Sequence, residues 1–174
     1  MKKLASLFLL LIPYFGFSQF ILTEDGLINK NDSTKSYVVL EFKGKTKEEL
    51  FKLTKNVITT HYVSPKSVIS ESAPDIISIN GRGGVPVKLQ TYDMRYVLLF
   101  AFKDEKIKID FNIIKMERLG HDLYIKKPED MLISVGIYNK KGKLVYPEAK
   151  KRIESIPNII IDKLKQGIST EEDW

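Results

Sequence analysis

From Tyr96 to Asn112 the chain spells out a β-hairpin. The run Tyr96-Val97-Leu98-Leu99-Phe100-Ala101-Phe102 is broken by the polar stretch Lys103-Asp104-Glu105-Lys106. After it, Ile107, Ile109 and Phe111 alternate with Lys108, Asp110 and Asn112. Side chains point to opposite faces along a strand, so period two means one buried face and one wet face. A lone hairpin is marginal in water, so its apolar face must be covered by further elements. The continuation Ile113 to Arg118 either lengthens the second strand or carries a bulge.

Two helices are expected to supply the cover. Thr46 stands three residues before Glu49, which forms a capping box, and Leu50, Leu53, Val57 and Ile58 follow at helical spacing. That predicts a helix from Lys47 to about Thr60. A second is predicted from Glu148 to Ile168, with Ile153, Ile156, Ile160 and Leu164 on one stripe and Gly167 as its stop. Pro157 lies inside that stripe and either kinks one helix or opens a second. Further strands are expected at Tyr37–Phe42, Ile76–Ile79 and between Met131 and Tyr138, with turns at Ser64–Ser67 and Asn139–Gly142. Val85 to Asp93 reads as a loop, because Pro86 opposes regular pairing. The order strand, helix, several strands, helix predicts an α+β fold. It is a two-layer domain, its mostly antiparallel sheet packed by one helix from the N-terminal half and a Pro-kinked C-terminal helix.

The first residues do not belong to that domain. MKKLASLFLLLIPYFGFS places Lys2 and Lys3 before an apolar run from Leu4 to Ile12, with Gly16 and Ser18 as small residues ahead of Gln19. This is the pattern of a secretory signal peptide cut near Ser18/Gln19, and its apolar run is short for a membrane span. The expected division is a leader at 1–18, an N-terminal extension at 19–36, one α+β domain at 37–168 and a tail at 169–174 ending in Trp174. Losing Lys2 and Lys3 lowers the formal net charge from +6 to +4. With no cysteine in the chain, a disulfide scaffold, a thiol nucleophile, a cysteine metal site and a thiol-linked lipid are all excluded. No later stretch is apolar enough to span a membrane. The expected location is therefore periplasmic or secreted.

Three segments carry a resemblance: Tyr37-Val-Val-Leu-Glu-Phe-Lys-Gly-Lys-Thr-Lys-Glu-Glu-Leu-Phe, Tyr62-Val-Ser-Pro-Lys-Ser-Val-Ile-Ser, and the paired strands from Tyr96 to Phe111. Together they resemble the DUF4468 family, exported proteins with a TATA-binding-protein-like fold found mostly in Bacteroidetes. The resemblance covers about Tyr37 to Asn112. It implies a small antiparallel sheet backed by helices in the cell envelope, and it transfers no activity and no functional residues. The longer stretch from Leu119 to Tyr146 departs from the family and leaves the later strand order open.

Motifs for chemistry are sparse. His61 and His121 lie sixty residues apart with no H-E-x-x-H between them, so neither marks a metal site. Gly81-Arg82-Gly83-Gly84 has the freedom of an anion cradle but lacks the Lys-Ser/Thr of a phosphate loop, and reads as a turn or bulge. No G-x-S-x-G occurs, and Glu48-Glu49, Asp104-Glu105 and Glu129-Asp130 sit where solvated acids belong. The triplet Asn31-Asp32-Ser33 is a chance glycosylation match. Lysines outnumber arginines and alternate with acids, so nucleic acid is not an expected partner.

The function expected is a non-enzymatic, exported envelope binding or interaction module without a cofactor. Its partner is an envelope protein, glycan or small ligand, and Arg82, Tyr92 and Tyr96 are the candidate ligand-binding residues. The alternatives are a hydrolase using His61 or His121 on an envelope substrate, and a structural component of an envelope assembly.

Overall fold

The computed structural model describes residues 18–61, 68–131 and 134–169. Residues 1–17 of the expected leader, the turn at Ser64–Ser67 and residues 170–174 of the tail, with Trp174, lie outside the described residues.

Among the described residues, nine strands and two helices form the domain: β1 (Phe20–Thr23), β2 (Gly26–Asn29), β3 (Tyr37–Glu41), α1 (Lys47–His61), β4 (Ile69–Ser72), β5 (Ile76–Val87), β6 (Gln90–Lys103), β7 (Lys106–Arg118), β8 (His121–Lys126), β9 (Val135–Tyr138) and α2 (Pro147–Ser169). The main sheet runs β4-β5-β6-β7-β8-β9, and β3 pairs with the first half of β7. All pairs are antiparallel except β8 with β9, which are parallel. The class is α+β, with both helices on one face of a mixed sheet.

The central hairpin forms as its alternation demands. β6 and β7 pair from Lys103↔Lys106 up to Asp93↔Glu117, across the two-residue turn Asp104-Glu105. Ile107, Ile109 and Phe111 are buried, while Lys108 and Asn112 face water. The strand is both lengthened and bulged. Tyr96 pairs with Ile113 but Arg95 with Lys115, so Ile114 is the extra residue and stands 63% exposed. One added residue returns Met116 to the core face, where it is buried.

Helix α1 begins at its capping box. Thr46 N donates to Glu49 Oε2 at 2.8 Å, and Glu49 N donates back to Thr46 Oγ1 at 3.3 Å. Leu50, Phe51, Leu53 and Ile58 are buried against the sheet, with Phe51 edge-on to Phe102 at 5.4 Å. Helix α2 runs unbroken through Pro157. Gly167 does not stop it. It lies inside the helix where a Cβ would meet Val57 Cγ2 of α1 at 2.7 Å, so its bare backbone lets the two helices approach.

Three further sequence expectations are corrected. Val85 to Asp93 is a strand pair with a tight turn at Lys88-Leu89, paired through Pro86↔Thr91. Pro86 is tolerated because β4 reaches only Ile76–Ile79 of β5, so the rest of β5 is an edge that needs no ladder donor. The glycines at 81–84 sit inside β5. The Tyr96 ring lies where a Gly81 Cβ would be, and a Cβ on Gly84 would come within 2.9 Å of Thr91 Cγ2. The segment expected as an extension at 19–36 contains the β1–β2 hairpin, which places Phe20, Leu22 and Leu27 in the core.

Candidate functional site

The sheet face opposite the helices is where the residues capable of recognition collect. Buried side chains of β5, β6 and β7 point toward α1 and α2, and no element among the described residues covers the other side. Antiparallel register turns that outer face into cross-strand rows. One row reads Arg82↔Arg95↔Lys115, three cations abreast on β5, β6 and β7. The next, about 7 Å further along the strands, reads Asp93↔Glu117↔Asp122, three acids abreast on β6, β7 and β8.

Like charges side by side repel, so each row stands only because the other lies diagonal to it. Arg82 Nη2 is 2.5 Å from Asp93 Oδ2, and Arg95 Nη2 is 3.2 Å from Glu117 Oε1. Lys115 Nζ lies 2.6 Å from Glu117 and 3.4 Å from Asp122. The Lys115 ammonium pKa is raised, first by the hydrogen bond to Glu117 and then by that to Asp122. The Arg82 guanidinium is held more firmly protonated by Asp93. Beyond the cation row the face turns mixed. Asn80, Val97 and Asn112 form one row, Ser78, Leu99, Asp110 and Tyr37 the next, and Ile76, Ala101, Lys108 and Val39 the last. Val39 and Ile76 are 43% and 39% exposed, and Lys108 Nζ sits 4.4 Å above the Tyr37 ring.

The acid row ends at a second feature. Gly120, His121, Asp122, Tyr124, Asp130, Met131 and Ser134 line a cavity of about 500 Å3, wide open to solvent. Tyr124 Oη is 3.5 Å from Asp122 Oδ2 and 3.4 Å from Met131 Sδ, and Ser134 Oγ donates to the Met131 carbonyl at 3.2 Å. Asp122 Oδ1 is buried and has no hydrogen-bond partner of good geometry, its nearest cation being Lys115. Among the described residues no hydrogen bond joins His121 to a carboxylate or to Ser134. Nor does any group of three His, Asp or Glu there have the arrangement of a metal site.

The sequence-predicted ligand residues are not brought together. Tyr92 and Tyr96 are buried on the helix side, Tyr96 stacked 5.0 Å from Phe111, whereas Arg82 projects from the opposite face. His61 ends α1, and its imidazole pKa lies below 6.5 because desolvation, and then the charge of Lys163, disfavours the imidazolium. His121 is on the cavity rim. Asp93, Arg95, Lys115, Glu117 and Asp122, which complete the charged rows, were not singled out by sequence. Their i, i+2 spacing on each strand shows that they share a face, but only the bulge at Ile114 brings them into register.

No family model matches the chain, and no curated protein matches it. Among solved structures it is similar to the crystal structure of a TBP-like protein from Parabacteroides distasonis. The identity is 12% and the TM-score 0.55, over 75% of this chain and 92% of that chain. No helix among the described residues is long and apolar enough to cross a membrane. At 12% identity the likeness shows the fold alone: the chain is an α+β domain of TBP-like topology.

Proposed function

We propose that this chain is an exported envelope domain, kin to the DUF4468 proteins, that binds a protein partner through the uncovered face of its sheet. The observation that carries this reading is the pair of opposed charge rows, Arg82-Arg95-Lys115 and Asp93-Glu117-Asp122. Exposed ion pairs of this kind contribute little to stability. Set in register on the same face as half-buried Val97 and Leu99, with exposed Val39 and Ile76 at its far end, they form a surface with one orientation for a partner to read. The leader pattern at 1–18 supports the export. Hydrolysis is the weaker reading of the cavity beside the face, because among the described residues no hydrogen bond pairs His121 with a carboxylate or a hydroxyl.

The test uses the chain from Gln19 onward as bait in an envelope extract. Arg95→Glu, which puts an acid into the cation row, is expected to abolish capture of the partner. Lys151→Ala, on exposed α2, is expected to leave it intact. Capture that is indifferent to Arg95→Glu rejects the face.

A further inference from the structure

The N-terminal hairpin is held by helix α2 in a way that reaches the bond where the leader reading places its cut. Strand β1 has two edges. One pairs with β2, and Lys30 N donates to the Gln19 carbonyl at 2.8 Å. The other is paired by side chains one helical turn apart on α2. Asn158 Oδ1 accepts from Gln19 N at 2.8 Å and from Phe20 N at 3.0 Å. Asn158 Nδ2 donates to Ser18 Oγ at 2.9 Å and to the Phe20 carbonyl at 3.0 Å. Glu154 Oε1 accepts from Leu22 N at 2.7 Å, and Tyr138 Oη donates to the Leu22 carbonyl at 2.6 Å. Phe20 and Leu22 beneath are 0% and 1% exposed. The carboxamide of Asn158 acts as a missing strand, and the N–H it receives from Gln19 belongs to the Ser18–Gln19 peptide itself.

We propose that Ser18–Gln19 is a processing site that folding closes, with the Asn158/Glu154 pair as the receptor for the new N-terminus. This rests on the export reading above. A leader peptidase must draw the residues around the bond into its own cleft as an extended strand with free backbone edges. From Gln19 onward both edges are taken and the next side chain is in the core. The cut therefore comes first and the hairpin seats afterwards. Hydrolysis adds the water oxygen to the Ser18 carbonyl carbon, and the C–N bond breaks with protonation of the Gln19 nitrogen. The ammonium produced remains a donor to Asn158 Oδ1, so the mature chain keeps the latch with a charge-assisted bond in place of an amide one.

The experiment uses the full chain made without export, leader attached, and a membrane fraction carrying leader peptidase, read by intact mass. Three substrates are compared: the folded chain, the folded N158A chain, and the chain diluted from urea straight into the reaction. Cleavage that requires local opening falls with the population of the open form, so the folded chain is expected to be cut at least ~10-fold more slowly than the other two. Equal rates on folded and unfolded chain overturn the latch while leaving export intact. A product of the unfolded chain that does not begin at Gln19 overturns the cleavage point, and this proposal with it. Should N158A not fold, the folded chain is titrated with low urea, where the rate must rise as the Phe20 and Leu22 amides lose exchange protection. A rate that ignores that opening also overturns the latch.

Discussion

Gly81 has no room for a side chain because the Tyr96 ring, itself pinned against Phe111, lies across it. An aromatic ring over a cross-strand glycine fills the space that the missing side chain leaves. Gly81→Ala must displace a buried ring and is expected to cost about 1–3 kcal/mol in thermal or urea unfolding. The partner that gives Gly81 its meaning is fifteen residues away, which is why the glycine run read as a turn. Thr54 gives the opposite sign. Its hydroxyl is fully buried in α1 with no hydrogen-bond partner. Thr54→Val removes that orphan donor and is expected to raise stability by about 1 kcal/mol. Asp32 is a third test. Hydrogen bonds from Lys35 first, then from the Thr34 side chain and backbone, lower its pKa from 3.8 to about 2. A carboxylate depressed in the folded state favours folding above its ordinary pKa, and that contribution is lost as pH falls toward 2. A carbon-detected NMR titration is expected to place Asp32 near 2 and, in Lys35→Met, closer to 3.8.

Among the elements, those whose cause is local were legible. The Thr46–Glu49 box and the stripe behind it predicted α1 to within a residue of its observed end, and the alternation from Tyr96 to Asn112 predicted the β6–β7 hairpin. Elements decided by distant partners were not. Pro86 is permitted only because β4 is short, and Gly167 sits inside α2 where Val57 of α1 leaves no room for a Cβ. The β1–β2 hairpin looked peripheral because its strands are only four residues each and the polar run Asn29 to Lys35 follows them, yet α2 supplies its second edge through Asn158 and Glu154. Phe20→Ala empties a fully buried site and is expected to cost about 3–5 kcal/mol. A chain starting at Tyr37 is expected to fail to give a cooperative melt, where one starting at Gln19 succeeds.

On the scale of the whole molecule, one face of the sheet carries the helices and the other carries the opposed charge rows. The candidate site was only partly legible. Arg82 was singled out and lies on that face, but Tyr92 and Tyr96 went to the core, because residues two apart share a face and both alternate in step with buried Met94, Leu98 and Phe100. The charged rows needed the bulge at Ile114 to align them. The direct measurement is hydrogen–deuterium exchange of the chain from Gln19 onward, with and without its captured envelope partner. Binding is expected to slow exchange along β5, β6 and β7 around Arg82, Arg95 and Lys115, and to leave α2 unchanged. Protection that appears on α2 and spares those strands contradicts binding through that face.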